Sequence, residues 1–158
     1  MNETESLLDE ELVLIDYEAK NKEELLKSLA SILHERGYVK ESYINGVLER
    51  ERVFPTGLNT DGVKVALPHT DAKHVNKAVI LFAKLKEPII FKEMGLSGND
   101  VEARLIFMMA VKNPEEQVKC LGNLMSILSK KEMLISLYES STKSEVIEKL
   151  SKVLYKNI

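Results

Sequence analysis

Two long apolar runs, residues 78–85 and 104–111, constrain the fold of this chain more than any other feature of the sequence. Each run is nearly uninterrupted, whereas a strand with one face in water alternates apolar and polar residues. We therefore expect both runs to be interior strands of a sheet that is covered on both faces. Helical patterns occupy the two ends of the chain, so the covering layers are expected to be helices.

These helical patterns have recognisable starts and ends. Asn21 and Glu24 form a capping box for a helix that runs to Gly37, and a second helix is predicted over residues 40–51. Three more helices are predicted after the second apolar run: one opened by Asn113 and Pro114, one over residues 131–138, and one opened by a capping box of Thr142 and Glu145.

Shorter apolar segments predict the remaining strands. Residues 12–16 suit a buried strand and residues 63–67 a short strand. Residues 88–91 suggest a separate short strand at a sheet edge, and a loop is expected to begin at residues 55–57. Together these elements predict an α/β layered sandwich with a central mixed sheet flanked by helices.

Length and charge restrict the class of protein. The chain has 158 residues, the size of one ordinary domain, which we assign to residues 11–156 after a mobile acidic segment over residues 1–10. The net charge of −3 and the lack of a dominant basic stripe argue against nucleic-acid binding. No apolar run approaches the roughly 18 to 20 residues of a membrane span, so we expect no direct membrane insertion.

The termini and the cysteine content indicate a cytoplasmic protein. The acidic, polar start of the chain is not a signal peptide. Cys120 is the single cysteine, which excludes an internal disulfide and fits a reducing compartment. Because Cys120 lies in an apolar helical pattern, we expect it to be a core residue rather than a nucleophile.

His69 is the leading candidate for a functional residue. It follows the short strand pattern and Pro68, and it is one of three histidines in the chain. Proline restricts the backbone before the ring, and Thr70 and Asp71 follow it. Imidazole at such a strand end can act as an acid, a base, a metal ligand or a phosphoryl acceptor. A solvated loop histidine is the alternative interpretation.

The other histidines are weaker candidates. His74 could join His69 in a metal site, but zinc sites need three or four protein ligands, so we expect no metal. His34 lies near the end of a predicted helix, where the helix dipole favours a positive ring. The sequence also lacks a glycine-rich phosphate loop, so no nucleotide cofactor is expected.

Two arginines precede the predicted turn at Pro55. Arg50 and Arg52 could be solvated charges at a helix end, or one guanidinium could face an anion near His69. The residues alone favour neither interpretation.

Four segments at their spacing in this chain resemble one known family. They read RERVFPTGL at residues 50–58, VALPHT at 65–70, KEPIIFKEMG at 86–95 and LIFMMAV at 105–111. Over roughly residues 10–154, the chain resembles the enzyme IIA domains of the bacterial sugar phosphotransferase system, of the fructose–mannitol–galactitol type. These domains have a mixed sheet flanked by helices, with the active histidine at a strand end.

The resemblance implies a cytoplasmic phosphocarrier that needs no cofactor. His69 would accept a phosphoryl group from the phosphorylated histidine phosphocarrier protein and pass it to a cysteine on the IIB domain or subunit of a sugar permease. By the family's spacing Arg50 would offset the phosphate charge, with Arg52 as the alternative. Thr56 and Thr70 would place hydroxyl groups near the phosphate.

One position departs from the family pattern. Several mannitol-type and fructose-type members carry a second histidine on the helix after the central strand, where this chain has Gln117. An amide can hydrogen-bond the ring or the phosphate but carries no positive charge. The galactitol-like branch is therefore favoured, with galactitol or a related polyol as the expected sugar.

Two alternatives remain from other functional classes. Related domains occur in nitrogen-type regulatory branches and in transcription activators, where a phosphohistidine would alter protein binding. The chain begins at Met1 without a DNA-binding segment, which favours transport over the activator role. A metal-dependent or thiol hydrolase is the third hypothesis, and it lacks a convincing set of ligands or a Cys–His pair.

Overall fold

The computed structural model describes residues 7–154 of the chain. The strands form one five-stranded sheet in the order β1-β4-β5-β3-β2. The strand bounds are β1 Val13–Tyr17, β2 Gly57–Leu58, β3 Val65–Ala66, β4 Val79–Lys92 and β5 Asp100–Ala110. The helix bounds are α1 Lys22–Glu35, α2 Ser42–Val53, α3 Pro114–Leu128, α4 Lys131–Glu139 and α5 Lys143–Leu154.

The sheet is mixed, as the sequence predicted. Strand β4 pairs antiparallel with β5, and β2 pairs antiparallel with β3. Strand β1 is parallel to β4, and β3 is parallel to β5. The two apolar runs therefore form the adjacent strands β4 and β5 in the interior of the sheet.

Helices cover both faces of this sheet, which explains why the two runs do not alternate in polarity. Along β4, Leu81 and Ala83 pack in the core beneath α1 and α2, whereas Ile80 and Phe82 pack in the core beneath α3, α4 and α5. Phe107 of β5 lies on the same side as Phe82, and the two rings meet edge to face with centroids 5.4 Å apart. Successive residues of a strand point to opposite faces, so every position is buried where both helical layers cover these strands, over residues 79–83 and 105–110.

The prediction of a separate edge strand over residues 88–91 is wrong. These residues belong to β4, which continues to Lys92 and remains paired with β5. The pairing register shifts between Lys84 and Ile89, and Pro88 lies in that interval. A proline has no N–H to donate to the ladder, so it is tolerated where the pairing is irregular.

The segment before His69 also differs in detail from the prediction. The regular strand is confined to Val65–Ala66 rather than residues 63–67. Gly57 and Leu58, predicted to lie in a loop, form the edge strand β2. A side chain at Gly57 would come within 2.7 Å of the carbonyl oxygen of Lys92, so only glycine allows this close approach.

The predicted helix starts are confirmed by their hydrogen bonds. Asn21 Oδ1 accepts from Glu24 N at 2.9 Å, and Asn113 Oδ1 accepts from Glu115 N at 2.9 Å. Thr142 Oγ1 accepts from Glu145 N at 3.2 Å. These side chains satisfy backbone donors that have no partner within their own helices.

The N-terminal segment lies partly outside the described residues, because the description begins at residue 7. Asp9 caps the short helix Glu10–Leu12 and accepts a hydrogen bond from the hydroxyl of Tyr38 at 2.6 Å. The domain limits at residues 11 and 156 stay predictions, and residues 155–158 also lie outside the description.

Candidate functional site

His69 lies immediately beyond the last hydrogen bond that holds its segment to the sheet. The β3 segment continues past Ala66 until the carbonyl oxygen of Pro68 accepts from Met109 N at 3.0 Å. Residues 69–71 then lead into the short helix Ala72–His74. The sheet thus fixes the backbone up to Pro68 and delivers His69 to its rim.

The His69 ring is oriented by its own backbone. Nδ1 lies 2.7 Å from the carbonyl oxygen of Leu67. A carbonyl oxygen can only accept, so Nδ1 carries the hydrogen and Nε2 of the neutral ring bears the free lone pair. Burial lowers the pKa of His69 and the charge of Arg50 lowers it further, against opposing contributions from the Leu67 carbonyl and Asp71. The ring is therefore held neutral near pH 7, in the tautomer that presents Nε2 as a nucleophile.

One face of α2 packs against the loop that carries His69. Ser42, Gly46 and Arg50 are four residues apart and share this face. Ser42 Oγ is hydrogen-bonded to His74 Nδ1 at 2.8 Å. A Cβ atom at Gly46 would lie 3.2 Å from Thr70 Oγ1 and from His74 Nε2, so the loop packs closely on this glycine.

Arg50 completes this face of α2. Its guanidinium lies over the ring of Phe54, with Cζ 4.5 Å from the ring centroid. Nη1 is 4.0 Å from Asp71 Oδ1, at the long limit of an ion pair. Nε is buried and has no hydrogen-bond partner among residues 7–154. The cation is therefore positioned beside the loop with a donor still to satisfy.

Arg52 points elsewhere. Its Nη1 donates to Glu49 Oε2 at 2.7 Å within an exposed pair on the helix surface. It also borders a cleft with Lys22 and Leu48 at the start of α1. The two arginines that the sequence left as alternatives therefore point in different directions from α2. Arg50 is the one that lies beside the loop of His69.

The two threonines predicted near the phosphate are both buried. Thr56 donates its hydroxyl to Glu51 Oε1 at 2.7 Å and accepts from Leu67 N at 3.2 Å through the same oxygen. Thr70 packs its side chain against Gly46. A phosphate contact by either hydroxyl stays a prediction, and for Thr56 it requires a change of partner.

Gln117 lies on the opposite side of the loop from α2. Its Nε2 donates to the carbonyl oxygen of Thr70 at 2.9 Å and ties the loop to the first turn of α3. The Gln117 amide therefore contacts the loop that carries His69, the residue to which the family resemblance pointed. A direct contact of Gln117 with the phosphate stays a prediction.

Glu51 is a site residue that sequence reasoning missed. It is 2% exposed, and its carboxylate accepts from Thr56 N and Thr56 Oγ1, both at 2.7 Å. Burial raises its pKa to about 7, against the lowering effect of the Thr56 hydrogen bonds and of Lys22. A signal was available, because Glu51 continues the buried stripe of Tyr43 and Val47 at intervals of four residues.

The alternative chemistries gain no support from the described residues. Within residues 7–154, no group of three or more His, Cys, Asp or Glu side chains could hold a metal ion. Cys120 is buried in the core beneath α3, α4 and α5, and burial raises the pKa of its thiol to about 12. A thiol with so high a pKa is a poor nucleophile. The helices of this part of the chain also include none that is long and apolar enough to cross a membrane.

Two long proteins are similar in sequence to this chain over most of its length. It is 32% identical over 132 residues to the transcriptional regulator ManR of Bacillus subtilis, covering 83% of this chain and 19% of that protein. It is 33% identical over 149 residues to the mannitol-specific EIICBA component of Buchnera aphidicola, covering 91% of this chain and 22% of that protein. The chain thus spans about a fifth of the length of these two relatives.

A shorter relative matches over most of its length. The galactitol-specific EIIA component of Escherichia coli K12 is 28% identical over 126 residues, covering 78% of this chain and 83% of that protein. Among solved structures, the complex of enzyme IIAMTL with phosphorylated enzyme IIBMTL from Escherichia coli contains a chain with the same fold. It matches with a TM-score of 0.74 and 26% identity, covering 92% of this chain and 99% of that chain.

The family profile covers nearly the whole chain. Residues 6–153 match the family described as the phosphoenolpyruvate-dependent sugar phosphotransferase system, EIIA 2. This range includes the whole sheet, the loop of His69 and all five helices almost to their ends. The fold, the matched range and the relatives agree, and the chain belongs to the EIIA 2 family of the phosphoenolpyruvate-dependent sugar phosphotransferase system.

Proposed function

We propose that this chain is a phosphocarrier in which Nε2 of His69 accepts a phosphoryl group from the phosphorylated histidine phosphocarrier protein and passes it to a cysteine of a IIB partner. The domains of this family are phosphotransferase components that carry phosphohistidine. The observation that carries the assignment of the accepting atom is the 2.7 Å contact between His69 Nδ1 and the Leu67 carbonyl. That contact leaves Nε2 as the free nucleophile.

The proposed transfer is a displacement at phosphorus. The Nε2 lone pair forms the new N–P bond while the N–P bond of the donor breaks, and the electron pair of that bond returns to the donor ring. The His69 ring gains positive character, so its Nδ1–H becomes a stronger donor to the Leu67 carbonyl. In the second transfer, a thiolate of the IIB partner attacks phosphorus and the electron pair of the Nε2–P bond returns to the ring.

Arg50 is proposed to bind the phosphoryl oxygens during both steps. Phosphoryl transfer depends mainly on positioning and on stabilising the charge of the transferred group. The partnerless Nε and the loosely paired Nη1 of Arg50 are supporting features, because a bound phosphoryl group would supply the missing acceptors. Thr70, and Thr56 after a change of partner, are weaker candidates for the same role.

A docking surface for the protein partners is proposed around the His69 loop. Phe54, at the end of α2, is 52% exposed and Val118, next to Gln117 on α3, is 73% exposed. These apolar side chains flank a half-buried nucleophile, an arrangement suited to excluding water when a partner docks. A IIB partner is supported by the related solved complex of enzyme IIAMTL with phosphorylated enzyme IIBMTL.

A galactitol-like or other polyol system is the proposed setting, with the domain acting in the cytoplasm. Two features support this choice: Gln117 at the position of the second histidine, and the similarity to a galactitol-specific EIIA component. The mannitol-specific relatives make a mannitol system the next candidate.

A regulatory role is the second candidate function. It is favoured by the 32% identity to the transcriptional regulator ManR. Phosphorylation of His69 would add negative charge at the rim of the sheet and so change the binding of a regulated protein. Both roles require the same phosphohistidine, so they differ in the partner and not in the first chemical step.

The test is intact-mass spectrometry at alkaline pH after incubation with phosphoenolpyruvate, enzyme I and the histidine phosphocarrier protein. We expect one added phosphoryl group in the wild type and none in His69→Ala, with uptake retained in His74→Ala and His34→Ala. Equal loss in all three folded variants would contradict the assignment of His69. Onward transfer to a IIB protein would favour the transport role over regulation.

A further inference from the structure

We infer that Glu51 is a positioning residue for His69, acting through the hydroxyl of Thr56 and the backbone of Leu67. The inference deepens the proposed function, on which it rests for its catalytic consequence. It concerns a chain of contacts that starts on the buried face of α2 and ends on the ring that carries the nucleophile.

The series of contacts begins with a buried carboxylate. Glu51 is 2% exposed on a stripe otherwise made of Tyr43 and Val47. Among the described residues, none of the ion pairs within 4.0 Å includes Glu51. Burying an unpaired carboxylate is costly, and an apolar side chain at this position would extend the stripe without that cost. Its hydrogen bonds therefore indicate what the carboxylate does.

Both hydrogen bonds of Glu51 go to one residue. Oε2 accepts from Thr56 N and Oε1 accepts from Thr56 Oγ1, each at 2.7 Å. Because the hydroxyl hydrogen is directed to Glu51, the lone pairs of Oγ1 are left to accept from another donor. Leu67 N supplies that donor at 3.2 Å, and its contact with the Thr56 carbonyl at 3.3 Å makes a second link between the same residues.

Leu67 transmits this arrangement to the ring. Its N–H is held by Thr56, and its carbonyl oxygen accepts from His69 Nδ1 at 2.7 Å. The next residue, Pro68, is anchored to the sheet through Met109 N. The backbone of Leu67 is thus held on both sides. Its carbonyl oxygen faces His69 Nδ1 and favours the tautomer with the hydrogen on Nδ1. Glu51 acts on His69 only through these intermediates, without touching the reacting atoms.

Removal of the Thr56 hydroxyl or of the Glu51 charge is expected to loosen Leu67. The Nδ1–H tautomer would then lose its preference, and a fraction of the rings would carry the hydrogen on Nε2. Such a ring cannot attack phosphorus through Nε2, and the remaining rings would be less well aligned. Small misplacements of reacting groups cost on the order of tenfold to a hundredfold in rate.

The experiment combines ¹⁵N NMR of the histidine ring with phosphorylation rates. Thr56→Val removes the hydroxyl and keeps the shape, and Thr56→Ser keeps the hydroxyl. Glu51→Gln removes, at equal size, the charge that Glu51 carries at pH 8, the pH of the measurement. We expect His69 of the wild type and of Thr56→Ser to be almost entirely Nδ1–H. In Thr56→Val and Glu51→Gln we expect mixed tautomers and phosphorylation slowed on the order of tenfold or more.

Thr142→Val is the matched control, because it removes a threonine hydroxyl that caps α5 instead. It is expected to lower stability without altering the tautomer of His69. An unchanged tautomer and rate in folded Thr56→Val and Glu51→Gln would overturn the inference. If Thr56→Val does not fold, the tautomer and rate of Glu51→Gln alone decide the inference. Thr56→Ser then shows whether a hydroxyl at this position is enough to keep the Nδ1–H tautomer of His69.

The two proposals can fail separately in this experiment. A wild-type protein that takes up no phosphate but shows the expected tautomer change in the variants would refute the phosphocarrier and retain the positioning role. Phosphate uptake at an equal rate in all folded variants would retain the phosphocarrier and remove Glu51 from it.

Discussion

The buried carboxylate of Glu51 makes the stability of this domain depend on pH in a way that one substitution should remove. Burial raises its pKa from the ordinary 4.5 to about 7, even though Thr56 donates two hydrogen bonds to it. The folded protein therefore binds this proton more tightly than the unfolded chain does. The stabilising contribution is fully present below pH 4.5 and is lost as the pH rises through 7.

The size of the effect follows from the two pKa values. With 4.5 in the unfolded chain and about 7 in the fold, linkage lowers the free energy of unfolding by about 2.5 kcal/mol between pH 5 and pH 8. For a domain of this length, that corresponds to a fall in Tm of roughly 5 to 10 °C. Glu51→Gln cannot titrate, so this part of the pH dependence is expected to vanish in the variant.

The measurement is urea unfolding of the wild type and of Glu51→Gln at pH 5, 6, 7 and 8. The amide also changes the hydrogen bonds to Thr56, at a cost of roughly 1 to 3 kcal/mol, so the comparison is of the change in stability with pH and not of the stability at one pH. Titrating groups that are not linked to Glu51 through Thr56 and Leu67 contribute equally to both proteins. If the free energy of unfolding changed equally with pH in the two proteins, the reasoning would be refuted. Such a result would mean that Glu51 does not hold its proton in the fold.

Two further predictions concern the site and the sheet. Arg50→Ala should slow phosphorylation on the order of a hundredfold by removing the cation that we propose binds the phosphoryl group, while Arg52→Ala should leave the rate unchanged, as measured by quenched-flow mass spectrometry. Equal rates in the two variants would argue against Arg50. Gly57→Ala would place a Cβ atom 2.7 Å from the Lys92 carbonyl oxygen and should cost roughly 1 to 3 kcal/mol in urea unfolding. Gly122→Ala, at an exposed position of α3, meets no atom within 4 Å and should instead stabilise by up to about 1 kcal/mol. The same sign for both glycine variants would contradict this contrast.

The layered fold could be predicted from the sequence because the strands β4 and β5 are buried on both faces. A strand between two helical layers needs apolar residues at every position, and this leaves a continuous run that a helix or an exposed strand does not require. Pro88 caused the error in β4, since a proline within an apolar run resembles a break between strands. Its position at a register shift can be recognised only from the pairing with β5.

The candidate site was only partly predictable. His69 could be found because it ends a strand pattern after a proline, which fixes its place without reference to other elements. The choice between Arg50 and Arg52 depends on which face of α2 packs against the loop of His69. Gly46 lies on that face, where the side chain of Thr70 packs against it. Glu51 was missed because a charged residue is expected in water, and only the hydrogen bonds of Thr56 explain its burial.

The long antiparallel pair at the centre of the sheet also has a consequence for the order of folding. Strands β4 and β5 are joined through residues 93–99 and pair from Val79 with Ala110 to Lys92 with Asp100, so the pair can form as one local hairpin. Strand β3 must instead close a long loop before Val65 meets Leu105, which costs more chain entropy. We therefore expect the hairpin amides to exchange most slowly with solvent, and the edge that carries His69 to dock after the hairpin and to open before it. His69 is thus carried by a part of the sheet that is assembled after its central hairpin.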